Sequence, residues 1–572
     1  MARTVSIGNQ DFESIRQKNC FYIDKTDFIK EWWDSEDVVT LIARPRRFGK
    51  TLNISMMEQF FSNGYTDRGD LFEGLSVWKY PEYRELQGTY PVISLSFANI
   101  KEVNYQTVKE RISQSVSSLY RNYAFLLHSP KLDIKEKEYI CNISDPQKEM
   151  TETIATMAVH NLSEFLFRHF GKKVIILLDE YDTPMQEAYV HGYWEELVAF
   201  IRSMFNATFK TNPYLERAIM TGITRVSKES VFSDLNNLEV ITTTSEKYAD
   251  CFGFTEQEVF EALDQFGLSD KKEEVKHWYD GFTFGNLTDI YNPWSIINYL
   301  DKKQFRPYWA NTSSNNLVGK LIKEGSPDIK KSMEDLIEGK TLITEIDEQI
   351  FFNQLGQKES AIWSLLLASG YLKVKNYVLD DTKDGFFYEM VLTNKEVFFM
   401  FRNMIKGWFS DYTSDYNEFI KMLMDGDLEA MNYYMNEISL SVFSCFDTGK
   451  QPSRRSRPER FYHGFVLGLL VDLRDRYVLT SNRESGFGRY DIMLEPIQKE
   501  EDAFIIEFKV FNPNREKELL DTVTSALDQI EEKKYEQVLV NKGIAKEKIR
   551  KYGFAFKGNE VLIGTAGIES FV

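Results

Sequence analysis

The sequence predicts an α/β protein. It has an N-terminal parallel sheet, a helical lid, a mixed helix-and-strand middle region and a second, smaller α/β domain. Three observations predict this. The β-branched apolar run Val38-Val39-Thr40-Leu41-Ile42 breaks into a loop that ends in Gly49-Lys50-Thr51, where a helical pattern begins. The run Val174-Ile175-Ile176-Leu177-Leu178 ends in Asp179-Glu180, as expected of a strand buried on both faces of a parallel sheet. Further on, Tyr490–Leu494 and Ala503–Val510 read as two strands that carry Asp491, Glu507 and Lys509, followed by a helix over 516–532.

Length and composition bound the reading. A chain of 572 residues with 43% apolar and 27% charged residues is globular material, enough for about two to four domains. The net charge of −18 excludes a generally basic nucleic-acid-binding surface. DNA or RNA would have to be met through a local groove or through metal ions. Four scattered cysteines, Cys20, Cys141, Cys251 and Cys445, form no C-x-x-C pair and are expected as reduced thiols. No stretch approaches the about 18 apolar residues of a membrane helix, and Met1–Gly8 has no apolar signal region, so a cytoplasmic protein without membrane contact is expected.

The elements follow in order. Phe21–Ile29 reads as a short strand or turn and then a helix capped at Thr26 or Asp27. Leu52–Phe61 has helical periodicity, Tyr90–Phe97 is a buried strand, and 104–170 is helical in pattern. Arg217–Arg225 is a further strand ending in polar residues. These alternations make 1–244 a doubly wound domain. From 245 to 310 a helical lid is expected, with a capping box at Thr255 and Glu258. Region 311–448 contains a helix over 362–372, two strands and a helix over 395–408, the order of a winged-helix module; its acidic Asp380-Asp381 wing favours an internal spacer over a DNA contact. The seam Gly449–Pro458 is the expected linker to the last domain, 449–572, where an apolar helix over 461–473 and strands at 477–480, 537–540 and 553–556 complete the pattern.

The first constellation is a phosphate site. Backbone N–H groups at a helix N-terminus face an anion, Lys50 reaches the phosphates, and the Thr51 hydroxyl ligates Mg²⁺. Arg44 stands where the usual loop has its first glycine. Asp179 would orient Mg²⁺, Glu180 would polarise an attacking water, and Arg225 or Thr224 could sense the γ-phosphate. Arg44, Arg46 and Arg47 add positive charge, and at least one is expected to contact phosphate or to pair with a carboxylate of the lid or of Asp179-Glu180.

Tyr22-Ile23-Asp24-Lys25-Thr26, the loop Arg44–Thr51, Asp179-Glu180-Tyr181-Asp182, Thr221-Gly222, Phe252–Thr255 and Tyr291–Ser295 together resemble the bacterial AAA-ATPase-like family. These are P-loop NTPases usually joined to a C-terminal nuclease-like domain of the PD-(D/E)XK class. In that family the arginine-rich loop is the phosphate loop itself. The resemblance implies ATP as the ligand of Arg46, Arg47, Phe48, Gly49, Lys50, Thr51 and Leu52, with Asp179 and Arg225.

The second constellation is Asp491 with Glu507-Phe508-Lys509. Strand side chains alternate, so Glu507 and Lys509 share a face. A hairpin with the preceding strand would bring two carboxylates for Mg²⁺ or Mn²⁺ beside a lysine, a set able to activate water. The order matches PD-(D/E)XK nucleases, which place a Gln and a Tyr near the site; Ala526, Gln529 and Tyr535 are read on the following helix. An acidic ligand from the preceding helix is left open between Glu459 (with His463 nearby), Glu484 and none. Arg454, Arg455, Arg457 and Arg460 could follow a phosphate backbone or form a solvated linker. The leading expectation is an ATP-binding, ATP-hydrolysing protein that controls a metal-dependent nuclease, with a homo-oligomer as one assembly it could form. The alternative is a nucleotide-dependent switch or scaffold with a docking domain of nuclease-like fold. A metabolic kinase lacks a visible acceptor site.

Overall fold

The computed structural model describes residues 3–224, 231–232, 235–310, 316–337, 339–346, 355, 358–380, 385–410, 417–443, 466, 470, 473, 476–481, 484–485, 488–489, 491–557 and 560–566. Arg225, the linker seam, Arg454, Arg455, Arg457, Glu459, Arg460, His463 and Asp381 lie outside them, as do the side chains of Asp380 and Glu484. Two compact units are present: Met1–Leu321 with Gly339–Phe399, and Ile322–Glu338 with Met400–Val572.

The first unit is built on five strands, β1 (Val39–Ala43), β2 (Val92–Ser96), β3 (Val174–Asp179), β4 (Leu215–Gly222) and β5 (Leu238–Ile241), in the order β2-β3-β4-β1-β5. All pairings are parallel. Strands β1 and β3 are buried along their whole length, which is why their sequences are apolar without alternation. They flank β4, so the loops after β1, β3 and β4 open at one edge of the sheet, where ligands of such sheets sit. The helix Lys50–Phe61 leaves that edge and packs Met57, Phe60 and Phe61 with Phe28 and Trp32. Helices Tyr105–Asn122, Ile134–Ser144 and Glu152–Phe170 fill the expected helical stretch.

The lid keeps its helices, Glu256–Gln265, Lys272–Tyr279 and Pro293–Lys302, and the Thr255–Glu258 capping box is formed. It also has an antiparallel sheet, β6 (Phe254–Thr255), β7 (Phe282–Phe284) and β8 (Leu287–Tyr291), in the order β6-β8-β7. Strands of two to five residues are too short to show a period of two. Beyond it lie β9 (Leu342–Thr344), β10 (Leu372–Asp380) and β11 (Gly385–Leu392), with helices Glu359–Ala368 and Lys395–Ser410.

The second unit contains β12 (Tyr477–Ser481), the small pair β13 (Glu484–Ser485) and β14 (Gly488–Arg489), then β15 (Ile492–Pro496), β16 (Ala503–Val510), β17 (Ile549–Lys557) and β18 (Glu560–Gly564). The main sheet runs β12-β15-β16-β17-β18. Strands β15 and β16 form the expected hairpin, Ile492 opposite Ile506; β16 and β17 are parallel, Glu507 opposite Gly553. The helix Leu519–Glu532 makes the crossover. Alternation sends Phe504, Ile506 and Phe508 to one core with Phe419 and Met435, and Ala503 and Ile505 to the other with Ile530 and Tyr535. Gly553 lets that helix close on the sheet, because a Cβ there would stand 2.8 Å from the Val523 carbonyl. Residues 537–540, expected as a strand, belong instead to the short helix Glu536–Val540, whose Leu539 packs under the sheet. Tyr535 lies just past the crossover helix, not on it.

Candidate active sites

The loop after β1 enters the helix Lys50–Phe61 through Gly49, whose backbone is left-handed at φ 83° with open space around the missing Cβ. Lys50 is 3% exposed. Its ammonium donates to the carbonyls of Arg44 (3.0 Å) and Pro45 (3.1 Å) and lies 3.5 Å from the Glu180 carboxylate. Thr51 Oγ1 donates to Asp179 Oδ2 at 2.7 Å, and Thr221 Oγ1 donates to the other Asp179 oxygen. Burial, and then the neighbouring Glu180, push the Asp179 carboxyl above the usual range against those two hydroxyl bonds. Glu180 sits at φ 53° and Arg47 at φ 66°, a left-handed backbone that costs a non-glycine residue about 1–2 kcal/mol. Such strain gathers where a site is held in shape by its surroundings.

The three arginines have three different roles. Arg44 is fully buried. Its guanidinium donates to the carbonyls of Thr242 and Tyr248 and lies 4.4 Å over the Phe284 ring. Burial lowers its pKa to about 9. It replaces the missing loop glycine with a strut to the end of β5. Arg44→Gly would restore the common loop pattern yet is expected to destabilise the fold by about 3 kcal/mol or more, since it opens a cavity and strips buried carbonyls of a donor. Chemical denaturation of the two proteins checks this. Arg46 donates to Gln186 Oε1 at 3.2 Å. Arg47 lies over the lid residue Trp294, 4.3 Å from the ring centre. Phe48 is buried edge-on against Phe282 and Phe284, and Leu52 packs on the same core as Phe60.

Thr224 does not present its hydroxyl to the loop. Its N–H and Oγ1 both donate to Asp182 Oδ2, at 3.0 and 2.9 Å, and Ile223 N–H joins them at 3.0 Å. Asp182 also accepts from Gln186, the partner of Arg46, so the last acid of Asp179-Glu180-Tyr181-Asp182 ties the end of β4 to the phosphate loop. Asp182 and Thr221 stand in the quoted motifs with no role attached to them there, and Gln186 carries no sequence signal of its own; their contacts appear only in the fold. Lys25 pairs with Glu258 at 2.7 Å, which fixes the N-terminal segment to the lid.

In the second unit Lys509 Nζ donates to Gln529 Oε1 at 2.8 Å, and Gln529 Nε2 donates to Glu507 Oε1. An amide has one acceptor end and one donor end, so a cation on one side and a carboxylate on the other fix its orientation. Glu507 is 3% exposed. Asp491 Oδ2 accepts from the Phe508 N–H at 2.8 Å, which places it beside the Glu507–Lys509 segment. The Tyr535 phenol is held above its ordinary pKa by burial and by Glu507 and Asp491, against its Gln529 bond. The expected trio is therefore brought to one place: Gln529 joins Lys509 to Glu507, and the Phe508 N–H holds Asp491 beside them.

The residues fit the groups such sites take. At the first, a hydroxyl and a buried carboxylate in contact suit a hard divalent ion, and a lysine enclosed by the loop suits phosphate. At the second, Asp491 just before β15 and Glu507 on β16 offer oxygen ligands only.

Residues 6–232 match the family model described as a predicted AAA-ATPase, and residues 457–566 match that of the PD-(D/E)XK nuclease superfamily. The chain joins an AAA-ATPase-like domain to a PD-(D/E)XK nuclease-superfamily domain. Lys50, Thr51, Asp179 and Glu180 fall in the AAA-ATPase-like range, and Asp491, Glu507, Lys509 and Gln529 in the nuclease-superfamily range. An uncharacterized protein encoded in the vnfD 5′ region of Azotobacter chroococcum mcd 1 is 26% identical over 326 residues, 56% of each chain. This chain thus spans little more than half the length of that relative. Among the described residues no helix is long and apolar enough to cross a membrane, and Cys20, Cys141 and Cys251 are unpaired thiols.

Proposed function

We propose that the AAA-ATPase-like domain binds and hydrolyses ATP and that its nucleotide state controls cleavage of DNA or RNA by the nuclease-superfamily domain. The single observation that carries the nuclease reading is the chain Lys509–Gln529–Glu507, with Asp491 beside it. A structural strand face has no need of a buried carboxylate and a lysine held in fixed relation by one amide. A Mg²⁺ or Mn²⁺ ion held by Asp491 and Glu507 would supply Lewis acidity. Lys509 offers a positive charge to a phosphoryl oxygen that gains charge during cleavage. In the ATPase domain Lys50 meets the phosphates, Thr51 and Asp179 form the Mg²⁺ side of the site, and Glu180 orients water. Nucleic acid would enter a local groove, since the chain as a whole repels it at a net charge of −18; a homo-oligomer in the cytoplasm completes the reading.

The test is incubation of the purified chain with single- and double-stranded DNA and RNA, with Mg²⁺ or Mn²⁺, and with ATP, ADP or neither. Metal-dependent cleavage whose rate changes with nucleotide is expected. Nucleotide-dependent self-association without cleavage under any metal would instead favour a switch with a docking domain.

A further inference from the structure

The carbonyl of Arg46, in the middle of the phosphate loop, accepts two hydrogen bonds: Asn292 Nδ2 at 3.3 Å and Trp309 Nε1 at 3.0 Å. Both donors lie beyond the segment matched as AAA-ATPase-like. Asn292 works in two directions. Its Oδ1 caps the lid helix Pro293–Lys302, accepting from the N–H groups of Trp294 (2.9 Å) and Ser295 (3.3 Å), and its Nδ2 holds the loop. Glu396, at the start of the helix Lys395–Ser410, accepts from Ser295 Oγ at 2.8 Å and from the Trp309 backbone N–H at 2.5 Å. The connections close into a ring: Arg46 carbonyl, Asn292, Ser295, Glu396, Trp309 and back to Arg46. Its side chains are almost wholly removed from solvent, with Asn292, Ser295 and Glu396 at 0% and Trp309 at 1% exposure.

Simple packing would fill such a place with apolar residues, because a buried carboxylate persists only when its partners are in position. Burial lifts the Glu396 carboxyl to about 7, and the Ser295 hydroxyl and neighbouring N–H groups pull it back. The geometry gives the ring a purpose. A trans peptide holds its C=O and the following N–H antiparallel. Two donors on the Arg46 carbonyl fix that peptide plane and aim the Arg47 N–H away from Asn292 and Trp309. Inward-facing N–H groups in this kind of loop are what hold a phosphate. Arg47 is also at φ 66°, a conformation a non-glycine residue abandons unless restrained.

We propose that Asn292, Trp309 and Glu396 form a clamp that keeps the phosphate loop in its anion-binding shape, with Glu396 as a positioning residue acting through Ser295 and Trp309. The inference rests on the nucleotide reading above. It means that phosphate binding depends on the lid and on a helix well outside the matched ATPase domain.

The test uses the full chain and equilibrium titration with a fluorescent ATP analogue, with adenosine as a ligand that has no phosphate. Trp309→Phe keeps the ring packing and removes the indole donor. Asn292→Ser keeps a helix cap and removes the donor to the loop. Each is expected to weaken ATP-analogue binding about fivefold or more, the scale of one lost hydrogen bond, with adenosine binding unchanged. Glu396→Gln, which can still accept, should keep more affinity than Glu396→Ala. The double variant Trp309→Phe/Glu396→Gln should fall short of the product of the single effects, since both act on one ring. Affinities are measured well below each melting midpoint, so a loss of stability alone does not move them. Wild-type affinity in folded Trp309→Phe and Asn292→Ser overturns the clamp. If one variant fails to fold, the others decide; if all fail, the ring is structural only and the inference falls. A wild-type chain that binds no nucleotide overturns the nucleotide reading itself.

Discussion

Lys50→Ala is expected to abolish ATP hydrolysis and to weaken ATP binding by about a thousandfold. The ammonium is enclosed by the Arg44 and Pro45 carbonyls and faces Glu180 at 3.5 Å, so its charge is presented from a fixed position with little water around it. A unit charge about 4 Å from another contributes about 4 kcal/mol at the effective dielectric of a partly buried site, close to three orders of magnitude in affinity. Alanine also leaves Asp179 and Glu180 without their nearest lysine, so a polyanion would meet two carboxylates and no opposing charge. Lys50→Arg should fail nearly as badly. The planar guanidinium is wider than the pocket formed by two carbonyls at 3.0 and 3.1 Å, and its fork cannot take the place of a compact ammonium. Phosphate-release rates and nucleotide titration, on variants whose melting matches the wild type, check both. Retention of a tenth or more of the wild-type rate by Lys50→Ala would remove the lysine from the chemistry.

The parts of the molecule that were legible in sequence are those where local pattern and final environment agree. Strands β1 and β3 are buried on both faces, so their apolar runs could only belong to the middle of a parallel sheet. Strand β16 begins and ends where its pattern does, because both of its faces meet cores and its last residues carry the site. The Thr255–Glu258 capping box is a local device and is read locally. What could not be read depends on distant partners. An arginine in a loop looks exposed, and only the carbonyls of Thr242 and Tyr248, 198 and 204 residues away, turn Arg44 into a buried strut. Gln529 stood out only by analogy with other nucleases; its two-sided bond to Lys509 and Glu507 needs the crossover helix to be in place. Asn292 announces itself as a cap by the proline after it, but nothing nearby says that its other end holds the phosphate loop. The lid sheet and the helix Glu536–Val540 are too short for periodicity to decide between states.

Glu507→Gln and Lys509→Ala are expected to reduce nucleic-acid cleavage by a factor of about a thousand while ATP hydrolysis continues. The two substitutions fail for different reasons. Glutamine keeps the shape of Glu507 and can still accept from Gln529, so the sheet and the Leu519–Glu532 helix should stay as they are; what goes is the negative charge that a divalent ion requires of its oxygen ligands. Raising the Mn²⁺ concentration should recover part of the Glu507→Gln activity, because Asp491 still stands beside the segment through its bond to the Phe508 N–H. Lys509→Ala keeps both carboxylates and removes the cation, a loss on the scale of a donor aimed at developing charge, about 10²–10³ in rate. It also leaves Gln529 Oε1 without its lysine, so the amide loses the bond at its acceptor end and its hold on Glu507 weakens. More metal should therefore not rescue Lys509→Ala. Cleavage rates for the wild type and both variants across a range of Mg²⁺ and Mn²⁺ separate these outcomes. Equal cleavage by all three proteins would place the chemistry away from β16.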